Sequence, residues 1–310
     1  MKQTTSNTFR FYNCKALAGE QPLAFVAAGL YEPQSEEDES TCIFLVDHTR
    51  AVWNMSVTAW PSVASFLVRK EDDNVIMNIG VYGNIQRYSQ AENKVYEDQL
   101  PEIPPICIRG ANIIDEYLYV YGLGPVYRTK TSELNVWEPV NKGLPENFFL
   151  PDGKPFGFDA ITKFQDSLLA VGIQGVIYRY ENDTWQPLSS PTQAWLHGIL
   201  VTPAHEIYAC GKRGIFHSTN GRDFQPLDLG VKHTFRALAW YKDQCYVVGD
   251  NKLFMLKDKT LTGINMPLLD EVSAISASED HLWAVGGQQV AWSADGNEWQ
   301  LVVFESKVTQ

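Results

Sequence analysis

Four ionisable side chains occupy one position of a repeated pattern. Arg109, Asp159, His197 and Arg236 each precede a small residue at the same step of the repeat. Guanidinium groups such as those of Arg109 and Arg236 can clamp an anion. A carboxylate beside an imidazole, as Asp159 and His197 could provide, is a pair used in proton transfer. No nucleophile accompanies that pair in the sequence, so binding is the chemistry that these residues favour.

A glycine-anchored repeat must position these residues. An apolar triplet ends in glycine at Gly80, Gly122, Gly172, Gly211, Gly249 and Gly286, with Gly29 as a displaced first member. The intervals from Gly80 onward are 42, 50, 39, 38 and 37 residues. The longest interval contains the segment 141–155, whose Pro, Gly and Asn content indicates a loop.

Each repeat reads as four short strands, because apolar and polar residues alternate between regularly spaced polar turns. This pattern predicts an all-β fold, a single β-propeller with seven blades of four antiparallel strands. The approximate blades are 7–57, 61–100, 104–141, 157–188, 194–228, 233–263 and 271–304, within one domain spanning 1–310. In a propeller, the first strands of the blades begin at one mouth of the central channel. We therefore expect the four ionisable residues to form a partial ring there.

Aromatic side chains in the loops that enter the same strands are the second set of candidate residues. They are Trp60, Phe148, Phe149, Phe156 and Trp195. Aromatic residues and arginine dominate the hot spots of protein–protein interfaces. Phe148 and Phe149 are adjacent in the Pro- and Gly-rich segment, where they either pack over the blades or bind a partner. With the four ionisable residues, these five side chains form the predicted partner-binding site.

Two turns resemble the Asp-box hairpin, Ser-x-Asp-x-Gly-x-x-Trp: STNGRDF from Ser218 and SADGNEW from Ser293. Each places the glycine one position early, and the first has Asn220 for Asp and Phe224 for Trp. The sequence is thus similar to Asp-box-containing β-propellers of the sialidase-like and photosystem assembly-factor-like kind. In those families the Asp-box residues shape turns away from the active face, so the resemblance implies the fold without a function.

Composition excludes several classes of function. The formal net charge is −12, and Lys and Arg occur singly, without the basic stripe of a nucleic-acid-binding protein. No apolar run approaches the roughly eighteen residues of a membrane span, and the polar first eleven residues predict no signal peptide. Five dispersed cysteines without a CxxC pair fit a reduced compartment, so we expect a cytoplasmic location. The histidines lack metal-ligand spacing, and no metal or cofactor is expected.

These observations favour a non-enzymatic protein-binding propeller that is a monomer outside its complex. An acidic surface steers basic partners, so an inhibitor or immunity protein against a basic toxin is expected, and an assembly factor fits equally well. The acidic segment 32–40 is either a disordered insertion or a contact for such a partner. The alternative is a hydrolase or lyase acting on a glycan or small anion in the channel, with Arg109 and Arg236 as anion clamps.

Overall fold

Seven four-stranded antiparallel sheets form the fold. The computed structural model describes residues 9–18, 23–30, 40–47, 54–101, 107–266 and 268–302. Within every sheet the strands lie side by side in chain order. The sheets are the blades of a seven-bladed β-propeller, and the predicted all-β class is confirmed. The acidic segment 32–39 lies outside the described residues.

The strands are short and their bounds follow the repeat. The first three blades contain β1 (Phe9–Leu17), β2 (Leu23–Leu30), β3 (Thr41–Asp47), β4 (Asn54–Thr58), β5 (Ser62–Arg69), β6 (Asn74–Gly80), β7 (Asn84–Ser89), β8 (Lys94–Gln99), β9 (Cys107–Ile114), β10 (Tyr117–Leu123), β11 (Tyr127–Lys130) and β12 (Glu138–Pro139). The next two contain β13 (Phe158–Phe164), β14 (Ser167–Gly172), β15 (Ile177–Glu181), β16 (Thr184–Pro187), β17 (Leu196–Val201), β18 (Ile207–Gly211), β19 (Gly214–Ser218) and β20 (Gln225–Pro226). The last two contain β21 (Phe235–Tyr241), β22 (Gln244–Gly249), β23 (Lys252–Lys257), β24 (Thr260–Ile264), β25 (Ala274–Ala277), β26 (Leu282–Gly286), β27 (Gln289–Ser293) and β28 (Gln300–Leu301).

The chain divides into two compact units, each with its own core. The larger unit comprises the described residues of 63–238 together with 256–261, and the smaller unit comprises the others. In the larger unit, apolar clusters fill the spaces between successive blades; Leu118, Leu169 and Ile207, one from the second strand of each of three blades, are fully buried. In the smaller unit, Phe44 packs in one cluster with Trp283. Among the described residues, no helix is long and apolar enough to cross a membrane.

The recurring glycine ends the second strand because another part of the backbone passes too close for a side chain. A Cβ atom added to Gly122, Gly172 or Gly211 would lie 2.1, 2.0 or 2.1 Å from a carbonyl oxygen at the start of the first strand. Only glycine permits such an approach. Gly29 differs, because a Cβ atom there would meet nothing within 4 Å. Gly286 shares this constraint, because a Cβ atom there would lie 2.1 Å from the carbonyl oxygen of Glu271, but Gly29 does not.

Side chains close the two turns that resemble Asp-boxes. Oδ1 of Asn220 accepts hydrogen bonds from the backbone amides two and three residues later, both at 2.9 Å. Oδ1 of Asp295 accepts the equivalent pair, both at 2.8 Å. The glycine after each, Gly221 and Gly296, has a positive φ of 66° and 81°. Asn and Asp thus perform the same turn chemistry in two blades, while membership of the Asp-box superfamily stays a prediction.

We expect Asp295→Ala to lower the free energy of unfolding by about 1 kcal/mol at pH 7, because two backbone amides lose their acceptor. Asp295→Asn should cost less, since Asn220 makes the same bonds in the fifth blade. The amides of Asn297 and Glu298 also hold the pKa of Asp295 below its ordinary value. The stabilisation that the Asp295 carboxylate provides is therefore complete above the pKa that this group has in the unfolded chain. It is lost as the pH falls through the lower pKa of the group in the folded chain.

Urea unfolding of both variants and the wild type at pH 7 and pH 3 measures this difference. The advantage of the wild type over Asp295→Asn should shrink at the lower pH. An Asn variant as unstable as the Ala variant at pH 7 would show that the turn does not depend on the acceptor oxygen.

Candidate partner-binding site

β-Bulges at the starts of three first strands position three of the predicted residues. In β9, Arg109 is the extra residue between two regular pairs with β10. Asp159 in β13 and His197 in β17 are the extra residues at the corresponding place, opposite the end of the second strand. A bulge re-aims a side chain out of the regular alternation of a strand. The same irregularity therefore presents a polar side chain in three successive blades of the larger unit.

The three bulge residues form one ionic chain. Nε of Arg109 lies 3.3 Å from Oδ1 of Asp159, and Nδ1 of His197 lies 3.1 Å from Oδ2 of the same carboxylate. The side chain of Asp159 is 7% exposed, whereas that of Arg109 is 37% exposed. A carboxylate so deeply buried requires polar partners, and here both of its oxygens have one. Asp159 is therefore the buried anchor that holds Arg109 and His197 in place.

Trp195 completes this arrangement from the loop that enters β17. Cζ of Arg109 lies 4.8 Å and Nζ of Lys212 lies 5.2 Å from the centroid of its ring. The ring of His197 lies 5.0 Å from it, centroid to centroid. Each cation–π contact at an exposed site contributes about 0.5–1 kcal/mol. We refer to Arg109, Asp159, Trp195, His197 and Lys212 as the Trp195 cluster.

Lys212 was not predicted as a site residue. It follows the recurring Gly211, and its amide donates a hydrogen bond of 2.9 Å to the carbonyl oxygen of Trp195. The residue after the recurring glycine thus lies beside the bulge of the same blade. Lys212 is the only basic residue at that step of the repeat, which is the signal that could have identified it.

Arg236 lies on the next first strand, outside the ionic chain. Its carbonyl oxygen would be 3.7 Å from a Cβ atom on Gly198, so β21 begins beside β17. Its side chain is exposed and forms no salt bridge in the part of the chain that the structure describes. The exposed charges among these named residues are therefore positive, because Arg109, Lys212 and Arg236 accompany a single buried carboxylate, Asp159.

The aromatic residues of the segment 141–157 occupy different environments. Phe156 is 1% exposed and packs against Phe158 and Tyr178, so its prediction as an exposed binding residue is wrong. The reason is that Phe156 fills the core between two blades. Phe148 packs partly against the same core, whereas Phe149 is 49% exposed. Only Phe149 offers a free ring for a partner.

A strained turn holds Phe149 outward. Asn147 and Phe148 precede it with φ of +54° and +57°, a region that bulky L-residues rarely adopt. The chain beyond Phe149 lines a cleft of about 270 Å³ with the segment that leads to Trp195; the lining residues are Leu150, Pro151, Asp152, Lys154, Gln174 and Gln193. Phe149 and the Trp195 cluster are thus carried by neighbouring loops of the larger unit.

Trp60 belongs to the smaller unit. It is half-buried in the turn between β4 and β5, and its carbonyl oxygen accepts a hydrogen bond of 2.8 Å from Oγ1 of Thr58. It stays a predicted binding residue.

Three of the cysteines, Cys14, Cys210 and Cys245, are buried like core residues, and Cys42 and Cys107 are partly buried. All five are free thiols. Burial raises the pKa of Cys14 and of Cys245 to about 12 in each case, so both stay protonated at neutral pH. Over the described ranges, no three His, Cys, Asp or Glu side chains converge as metal ligands would.

Comparisons with known proteins place this geometry in context. The chain is 24% identical over 311 residues to the "Immune protein Tsi7" of Pseudomonas aeruginosa, covering 94% of this chain and 97% of that protein. Its fold is similar to that of YCF48 from Cyanidioschyzon merolae, with 11% identity, a TM-score of 0.67, and coverage of 94% and 97%. A structure of YCF48 bound to D1 peptide gives 13% identity, a TM-score of 0.62, and coverage of 97% and 95%. No protein-family model matches the sequence.

Proposed function

We propose that this protein is an immunity protein that binds and blocks a protein toxin. The observation that carries the proposal is the similarity to the Immune protein Tsi7, which extends over nearly the whole of both chains. A similarity of that extent includes every blade rather than a single shared motif. The cytoplasmic location and the monomeric state outside the complex are part of the same proposal.

The binding surface that we propose is the face of the larger unit that carries the Trp195 cluster, Arg236 and Phe149. Tryptophan and arginine are the side chains most enriched among interface hot spots. The buried carboxylate of Asp159 fixes Arg109 before a partner arrives, which lowers the conformational entropy lost on binding. Phe149 adds an exposed apolar ring beside these charges.

The functional test is protection from the toxin. A tagged chain is used to capture its partner from the lysate of its source organism, and the partner gene is then expressed in a test bacterium with and without this chain. Growth arrest by the partner alone and rescue by this chain are expected. An assembly factor would bind its partner without protecting from growth arrest. A hydrolase or lyase would bind a small anionic sugar saturably and form no stoichiometric protein complex.

We expect Phe149→Ala to weaken the complex with the captured toxin by about tenfold, because an exposed anchor ring loses its contact area. The melting temperature should stay unchanged, since the ring is 49% exposed in the free chain. Isothermal titration calorimetry and thermal unfolding measure the two effects.

Phe156→Ala is the matched control from the same loop. It should lower the free energy of unfolding by about 3 kcal/mol, because the ring that it removes is buried. If Phe149→Ala binds the toxin as tightly as the wild type, this loop is not part of the binding surface.

A further inference from the structure

We infer that the Trp195 cluster and Arg236 recognise an acidic segment of the protein partner. The inference rests on the proposed function and specifies the chemistry of the segment that docks. It differs from the expectation drawn from net charge alone, which was a basic partner. The local arrangement of charges, rather than the total of −12, is what such a segment would meet.

The solvent-facing charges of the Trp195 cluster and Arg236 are positive. Lys212 and Arg236 are exposed, and the side chain of Arg109 is 37% exposed. The only carboxylate of the cluster, Asp159, is 7% exposed and has both oxygens engaged by Arg109 and His197. A basic segment would therefore face three cations and find no free carboxylate among the cluster residues. An acidic segment would find three partners.

The geometry of Arg109 suits a carboxylate. Its Nε contacts Asp159, while its terminal amino groups have no hydrogen-bond partner among the described residues. A guanidinium offers its hydrogen-bond donors in a planar fork that matches two carboxylate oxygens. The Trp195 ring beneath it holds the guanidinium plane in place and gives the aliphatic part of an incoming Asp or Glu an apolar surface.

Charge density favours a protein segment over nucleic acid. Binding to a phosphate backbone requires a stripe of many basic residues, whereas these cations are three side chains in a chain with 37 acidic and 25 basic residues. A short segment with two or three carboxylates matches the number of cations. Phe149, on the neighbouring loop, would contact an apolar residue flanking the acidic ones.

The test uses peptides and the free full-length chain, so it does not require the toxin. The probes are capped hexapeptides of alternating Glu and Gly and of alternating Lys and Gly, added in low salt to ¹⁵N-labelled protein. The indole N–H resonance of Trp195 is assigned by its loss in Trp195→Phe. The acidic peptide should shift that resonance saturably, and raising the salt to about 0.2 M should weaken binding at least tenfold.

Two variants make the test specific. The double substitution Lys212→Gln with Arg236→Gln should weaken binding of the acidic peptide at least tenfold. Lys163→Gln removes an exposed cation from the other end of β13, where Lys163 pairs with Asp115, and should leave the affinity unchanged. The double variant removes two positive charges and Lys163→Gln removes one, so a loss with Lys163→Gln of half the double variant's loss or more, on a logarithmic scale, would show that only net charge matters and would overturn the inference.

Other outcomes also decide the question. The inference is wrong if the acidic peptide leaves the resonance unshifted, or if the basic peptide shifts it instead. It is also wrong if inorganic phosphate or free glutamate binds as tightly as the peptide, because the surface would then be a small-anion site. If the growth-protection test fails but the acidic peptide binds, the proposed immunity function is wrong, whereas the site for an acidic segment is still supported.

Discussion

Reversing two charges, Lys212→Glu with Arg236→Glu, should weaken the complex with the proposed toxin partner at least a hundredfold, about 2.7 kcal/mol. Both side chains are exposed; Lys212 belongs to the Trp195 cluster, and Arg236 lies on the neighbouring first strand. Replacing attraction by repulsion at an interface costs several kcal/mol when the partner's facing charges are close. Calorimetry at a fixed salt concentration measures the affinity, and stopped-flow mixing measures the association rate, which should fall as well.

The fold should tolerate this double reversal. Lys212 loses one exposed cation–π contact, and Arg236 has no salt bridge within the described ranges. The free energy of unfolding should therefore change by less than about 1 kcal/mol. Lys130→Glu with Lys257→Glu is the matched control, because it changes the net charge equally at the last residues of β11 and β23. Equal loss of binding in the control would mean that long-range charge, not this surface, drives capture.

Gly172→Ala should cause the largest loss of stability, about 3 kcal/mol or more. A Cβ atom at this position would lie 2.0 Å from the carbonyl oxygen of Gly157, which is backbone and cannot rotate away. Relief would require separating β13 from β14 at their pair Phe158 and Gly172. That movement would also displace Asp159, the extra residue beside the pair, so toxin binding should fall together with stability.

Gly29→Ala is the control for this prediction. Gly29 in β2 pairs regularly with Arg10 in β1, and a Cβ atom on Gly29 would meet nothing within 4 Å. Its substitution should change the free energy of unfolding by less than about 1 kcal/mol, since alanine destabilises a strand no more than glycine does. Urea unfolding compares the two variants, with the soluble fraction as the readout if Gly172→Ala does not fold. Equal stability of the two would contradict the close-approach explanation of the repeat.

The sequence was informative about the fold because the constraint that creates the blades is local. A carbonyl oxygen at the start of the first strand lies so close to the end of the second strand that only glycine fits there. This requirement is visible in the sequence as the recurring glycine at Gly122, Gly172 and Gly211. The bulge residues could be aligned for the same reason, since each lies 13 or 14 residues before the glycine. At each of the three bulges, the sequence shows one polar residue in a strand whose other residues are mostly apolar.

The rest of the site depends on contacts between blades, which leave no periodic trace. Phe149 and Phe156 are both aromatic residues of one loop, yet only Phe156 reaches the ring of Tyr178 in the following blade. The stacking of Lys212 and Arg109 on one indole joins residues more than a hundred positions apart. Such pairings follow from how blades pack, so the net charge of the chain does not give the charges at the Trp195 cluster.

Hydrogen exchange of the chain with and without the proposed toxin shows whether the Trp195 cluster lies in the binding surface. We predict slower exchange on binding in the segments 141–157 and 188–198, at Lys212 and at the start of β21. The turns at the opposite ends of the same blades, at 115–116, 165–166 and 203–206, should be unchanged. Protection confined to those opposite turns, or to the smaller unit, would contradict the assignment of the Trp195 cluster as the surface that captures the toxin.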